Sequence, residues 1–258
     1  VPVGEFIGGF VMTIYDRLLI IDTETGGLDP RKNAILEVAG VVWERNPGQA
    51  GRILGKFRYD VHDPSGICEP RALEINGIDP ARNNGMSPEI VVTLIEKFIQ
   101  EIYLDDYDGA FHLLMNPRVS GCPCIEKIVL GGHNVAFDVG FLKRLYDLAD
   151  RPRGFFGFFK RLYRLVVPRD SHDSRYEKIY SHRLIDTCGV VRYLVLAGAL
   201  PLEGAGSQEA FDYFGITPAN AHTALGDAEA TAKLLDKLID TTTNTTTKGR
   251  RIARVQTD

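Results

Sequence analysis

The chain has 258 residues, a hydrophobic fraction of 44%, a charged fraction of 25% and a formal net charge of −4. That is enough chain to bury a real core as one large domain or two small ones, and the balance is that of a soluble globular protein rather than a disordered or fibrous one. No apolar stretch reaches the roughly 20 residues needed to span a bilayer. The first sixteen residues lack the basic start of a signal peptide, and Cys68, Cys122, Cys124 and Cys188 make no disulfide framework in a chain of this size, so a cytoplasmic protein with reduced thiols is expected.

Residues 1–16 read as an N-terminal extension. Residues 17–22 (RLLIID) are a short apolar run ending in an acid, as in a buried strand. Residues 34–44 and 51–61 follow as two more strands around an NPGQAG turn, making a three-stranded antiparallel meander. The stretch 87–103 has Ser87 as N-cap, Pro88 at the first helical position and apolar residues at helical spacing. Residues 128–132 (IVLGG) are a fourth strand, 137–150 an amphipathic helix and 183–187 (RLIDT) a fifth strand. Three helices are expected near 188–199, 206–214 and 223–240. Strands first, then strands alternating with helices, imply an α/β protein with a mixed sheet and helices packed on it. Two insertions interrupt the pattern, at about 105–127 and 151–182, and residues 241–258 read as a flexible basic tail.

Five residues stand out. Asp22 and Glu24 lie in LLIIDTETGGLD, Asp138 in LGGHNVAFDVGFL, and His222 and Asp227 in AHTALGDAEATAKLL. Each carboxylate sits at the edge of an apolar run, where an unpaired charge is costly. Four of them can share a pocket only if something strongly positive neutralises them, and divalent metal is the obvious candidate. Residues two apart in an extended chain point to the same face, so Asp22 and Glu24 can reach one metal. Taken singly, each has an ordinary structural explanation: Asp22 ends a strand, Glu24 sits in a turn, Asp138 caps a helix start, and a histidine at a helix start is more often structural than catalytic. The spacing of His222 and Asp227 does not align two side chains on one helix. It suits a histidine in the preceding loop or first turn, with Asp227 on a helix whose small residues allow close approach to the sheet.

The ordered set DTETGGLD, GHNVAFDVGFL and HTALGDAEATAKLL closely resembles the DEDDh group of 3′–5′ exonucleases, which includes ribonuclease T, oligoribonuclease and the proofreading subunits and domains of bacterial DNA polymerases. The segments ILEVAGVV, ALEINGIDP, LIDTCGVVRYL and SQEAFDYFGI agree, and the resemblance covers about 18–240 apart from the two insertions. It implies an RNase H-like fold with a mixed five-stranded sheet. It also implies that Asp22, Glu24, Asp138 and Asp227 bind metal and that His222 is the general base. Leu28 and Phe137 match positions flanking the terminal base, and Thr25, Gly26 and Asn134 fall in the matching substrate-binding segments. Gly26 departs from the pattern, since many members carry a second threonine there.

The chemistry expected is stepwise hydrolysis of single-stranded DNA or RNA from the 3′ end to nucleoside 5′-monophosphates. Two metals about 3.5–4 Å apart can activate water and stabilise the leaving oxygen. Hard carboxylate oxygens favour Mg²⁺ or Mn²⁺, and an imidazole suits proton transfer near neutral pH. A proofreading subunit bound to a DNA polymerase, or a non-cleaving nucleic-acid-binding module, are the alternatives; a homodimer is a further expected partner state, and a membrane is not expected. Residues 151–183 carry nine basic and three acidic residues, interleaved with Phe155, Phe156, Phe158, Phe159 and Tyr163. This composition suits single-strand binding and equally an amphipathic helix packed on the core or on a second subunit.

Overall fold

A computed structural model describes residues 6–7, 10–11, 17–46, 48–104, 127–151, 174–220 and 222–255. A two-stranded ribbon, β1 (Phe6–Ile7) and β2 (Phe10–Val11), precedes the sheet. The sheet is built from β3 (Arg17–Thr25), β4 (Ile35–Glu44), β5 (Arg52–Asp60), β6 (Ile128–Gly132) and β7 (Tyr180–Asp186), in the order β5-β4-β3-β6-β7. β3, β4 and β5 pair antiparallel, as the meander predicts, while β6 and β7 run parallel to β3. The helices are α1 (Pro70–Asn76), α2 (Pro88–Leu104), α3 (Ala136–Ala149), α4 (Arg175–Ile179), α5 (Thr187–Leu196), α6 (Ser207–Phe214) and α7 (Ala224–Val255).

Strand alternation sorts β3 between two layers. Leu19 and Ile21 join the core formed with Val91, Val92, Ile95 and Ile99 of α2 and Phe141, Leu142 and Leu145 of α3. Leu18 and Ile20 join a second core with Val41, Trp43 and, on α7, Ala228, Ala232 and Leu235. Small residues let α7 lie close to the sheet, where Ala224 and Ala228 are fully buried, and Gly226 leaves room for the turn before the helix, since a Cβ there would stand 2.2 Å from the Asn220 carbonyl oxygen. A third core joins α5, α6 and α7 through Val191, Leu194, Phe211, Ala230 and Leu234.

Several boundaries differ from the sequence reading. β3 continues through Thr25, so Glu24 is a strand residue rather than a turn residue. The unexpected α1 has Pro70 at its start and ends at Gly77, whose φ of 67° lets its N–H reach the Leu73 carbonyl. β7 starts at Tyr180 rather than Arg183, and α4 precedes it inside the expected insertion. Tyr176 and Tyr180 belong to the core, where both rings pack against Tyr146. α7 runs past residue 240 to Val255; Thr241, Thr242 and Thr243 bond back to the carbonyls of Lys237 and Ile239. Residues 105–126, with Cys122-Pro123-Cys124, and 152–173, with most of the basic and aromatic residues, lie outside the described residues. Of the basic residues that are described, Arg175 pairs with Glu96 at 2.5 Å, so part of that charge serves packing.

Candidate active site

The alternation that divides the two cores also aims the acids. Asp22 and Glu24 share the α7-facing side of β3 with Leu18 and Ile20. Asp227 lies in the first turn of α7. One carboxylate oxygen from each of Asp22, Glu24 and Asp227 lies within 4.8 Å of the other two. All three side chains are half-buried, and none forms an ion pair with a lysine or arginine among the described residues.

Asp138 arrives from the other layer. It occupies the first turn of α3 and is buried, and its Oδ1 accepts a 2.8 Å hydrogen bond from Thr23 Oγ1. Thr23 points away from α7 because it alternates with Asp22 and Glu24. The site therefore forms at the C-terminal end of β3, where acids from both layers converge.

Electrostatics show the strain of this convergence. Burial, then the charges of Asp138, Glu24 and Asp227, push the Asp22 carboxyl well above the usual carboxylate range. Glu24 is pushed up to about 8 by burial and by Asp227, Glu37 and Asp138. Burial raises Asp138 to about 7 against the opposing Thr23 bond. Burial also raises Asp227, with His222 acting in the opposite sense. An arrangement that keeps its carboxylates from ionising easily is one that a hard divalent cation would relieve. The donor set is all carboxylate oxygen, which suits Mg²⁺ or Mn²⁺.

His222 is exposed at the mouth, with φ of 62°. Left-handed backbone is uncommon for a residue with a side chain, and such residues gather at functional sites. The next residue, Thr223, caps α7 by accepting the Gly226 N–H at 3.2 Å. The expected division of a loop histidine and a helical Asp227 is what the structure contains.

The remaining expected residues line the same end of the sheet. Leu28 is 80% exposed, unusual for leucine, and Phe137 packs on Phe141 with ring centroids 5.1 Å apart. Asn134 is exposed with φ of 61°, and its N–H is held by Asp186 Oδ1 at 2.8 Å. Thr25 is buried and donates its hydroxyl to the Gly27 carbonyl at 2.8 Å. Gly26 has a packing reason: a Cβ there would stand 2.6 Å from the Ile67 carbonyl oxygen and 2.9 Å from Cys68 Cα. His133 is structural, its ring nitrogens bonded to Thr187 Oγ1 and the Ala205 carbonyl.

The sequence reading missed Asp186 and Glu37. Asp186 holds the Asn134 turn and caps α5 through the Cys188 N–H at 3.0 Å. Glu37 is a buried acid inside ILEVAGVVWE, and a charge within so apolar a strand was the available signal.

No family model matches the chain. Ribonuclease T of Shewanella sp. (strain W3-18-1) is 25% identical over 215 residues, covering 74% of this chain and 89% of that protein. Ribonuclease T of Wigglesworthia glossinidia brevipalpis is 28% identical over 130 residues, 50% of this chain and 54% of that one. These relatives support the resemblance to the DEDDh-type 3′–5′ exonucleases that the sequence motifs carry. Solved structures agree on the fold. Exonuclease I superposes with a TM-score of 0.55 at 18% identity over 88% of this chain and 41% of that one. The cell-death related nuclease 4 gives 0.55 at 13% identity, over 88% of this chain and 64% of that one. The five-stranded mixed sheet with flanking helices is thus the RNase H-like fold, and the chain spans about two fifths of the exonuclease I chain. No helix among its described residues is long and apolar enough to cross a membrane.

Proposed function

We propose that this chain removes nucleoside 5′-monophosphates one at a time from the 3′ end of single-stranded nucleic acid, using two divalent metal ions, Mg²⁺ or Mn²⁺. The observation that carries the proposal is the meeting of Asp22, Glu24 and Asp227 within 4.8 Å, with Asp138 beside them and His222 at the mouth.

Asp22, Glu24 and Asp227 would hold the metals, with Asp138 completing the set from α3. When bound, such ions supply Lewis-acid stabilisation of the phosphoryl oxygens and lower the pKa of water. His222 lies next to Asp227 and open to solvent, and takes the proton of the attacking water. The water oxygen bonds to phosphorus, the bond from phosphorus to the 3′-oxygen of the preceding nucleotide breaks, and that oxygen ends protonated from solvent. Leu28 is exposed as a wedge against the terminal base, and Phe137 offers it a ring to stack on. Asn134 and the Thr25–Gly26 backbone border the terminal sugar.

A non-cleaving module of the same fold is disfavoured by the cost of the acidic cluster, since mutual repulsion at the site serves nothing if no metal is held. The test is parallel digestion of end-labelled single-stranded DNA, single-stranded RNA and duplex, with Mg²⁺ or Mn²⁺. Stepwise shortening from the 3′ end is expected for the wild-type chain and none for Asp22→Ala. Full activity of purified, folded Asp22→Ala would overturn the proposal.

A further inference from the structure

Glu37, the third residue of β4, is 2% exposed and lies directly opposite Glu24 in the antiparallel register. Opposed residues point to the same face, so it looks toward α7. Its two oxygens have different partners. Oε2 accepts from Arg58 Nη2 on β5 at 2.7 Å, while Oε1 accepts the backbone N–H of Ala224, 187 residues away, at 2.9 Å. Ala224 is the first residue of α7, where the N–H has no acceptor inside the helix and a negative charge is favoured.

That contact falls between the two functional residues contributed by the C-terminal region. His222 lies two residues before Ala224 and Asp227 three after it. The left-handed backbone of His222 costs energy and persists only where its surroundings fix it. Thr223 fixes one side, bonding to the Asn220 carbonyl and capping Gly226. Glu37 ties this turn by a hydrogen bond to the sheet bearing Asp22 and Glu24. Arg58, whose Nη2 bonds Glu37 Oε2, lines a cavity of about 220 Å³ together with Glu37, Asp60, Ile78 and Asn83.

We infer that Glu37, clamped by Arg58, is a positioning residue that sets the placement of His222 and Asp227 against Asp22 and Glu24. The inference rests on the proposed nuclease reading of the site. Glu37 directs its two oxygens at Arg58 and Ala224 and lies outside the cluster of Asp22, Glu24 and Asp227.

The experiment compares the full chain with Glu37→Leu, Glu37→Gln and Arg58→Met, and uses Asp22→Ala to test the nuclease reading separately. It measures kcat and KM on a single-stranded oligonucleotide, the pH profile of kcat, and amide hydrogen exchange at Ala224. Loss of one charge-assisted hydrogen bond at the turn lowers kcat about 10- to 100-fold in Glu37→Leu. KM should stay near wild type, the limb of the pH profile set by His222 should move, and the Ala224 amide should lose protection. Glu37→Gln keeps an acceptor oxygen and the shape, and should recover most of the loss. If Glu37→Leu does not fold, Arg58→Met decides, with a smaller fall in kcat and partial loss of protection at Ala224. A variant with lowered melting temperature but unchanged kcat, pH limb and Ala224 protection would leave only a structural role and overturn the inference. An active Asp22→Ala would instead overturn the nuclease reading, while the exchange measurement would still report on the Glu37–Ala224 contact.

Discussion

Replacing Asp22 with asparagine should abolish catalysis and stabilise the metal-free fold. Within the 4.8 Å that bounds the Asp22, Glu24 and Asp227 cluster, two unit charges repel by at least about 3.5 kcal/mol at an effective dielectric of about 20. The folded chain relieves this by keeping protons: Glu24 is pushed up to about 8, Asp138 to about 7, and Asp22 well above the carboxylate range. These folded values lie above the unfolded ones, so the folded state binds more protons. The stability these groups contribute is therefore complete below the ordinary carboxylate range and is lost as pH rises through about 7 and about 8. Protonation caps the relief, so at pH near 8 we expect Asp22→Asn to exceed wild type by about 2–3 kcal/mol, or about 5–10 °C in Tm. Thermal melts in EDTA across the range from mildly acidic to mildly alkaline pH measure it. The advantage should shrink as pH falls, and millimolar Mn²⁺ should stabilise wild type far more than the variant. An Asp22→Asn protein no more stable than wild type in alkaline EDTA, or an advantage that persists undiminished in acid, would refute the reasoning.

Three further outcomes follow from the site. His222→Ala should lower kcat by about 100-fold or more and remove one limb of its pH profile, as expected for loss of a general base; an unchanged profile in a pH-rate series would remove His222 from that role. Thr23→Val takes the hydrogen bond from buried Asp138 and should cost about 1–3 kcal/mol of stability in the metal-bound protein, read by urea denaturation. Gly26→Thr forces a Cβ within 2.6 Å of the Ile67 carbonyl oxygen, so it should destabilise the fold by about 1–3 kcal/mol in the same assay.

The sequence made the site legible where local period decided geometry. Asp22 and Glu24 fall on one face because strand side chains alternate, and Asp227 could be set on a helix because ALGDAEATAKLL carries small residues at the sheet-facing positions. Legibility failed where a partner lay far along the chain. Glu37 sits inside an apolar run, and its partners Arg58 and Ala224 are 21 and 187 residues away, so nothing nearby announced the contact. Asp186 reads from sequence as one residue of the fifth strand, although its carboxylate holds the turn that presents Phe137 and Asp138. α1 is hard to read from sequence because it is only seven residues long and buries none of them, although Pro70 and Gly77 mark its two ends. The start of β7 is not legible because Ser181 and His182 read as polar surface, whereas Tyr176 and Tyr180 anchor that segment in the core.

The carboxylate cluster draws Asp22 and Glu24 from the first strand of the sheet and Asp227 from its last helix, some 200 residues later. Chains emerge N-terminus first and at limited speed, so most of the sheet is made before α7 exists to lie on it. Until that helix docks, Asp22 and Glu24 have no Asp227 opposite them and no histidine at the mouth. If the proposed function holds, a half-made chain, or one whose last helix has been cut away or has melted, lacks Asp227 and His222 at the site and should not cut. The separation in sequence makes completion of the fold the safety catch on the chemistry.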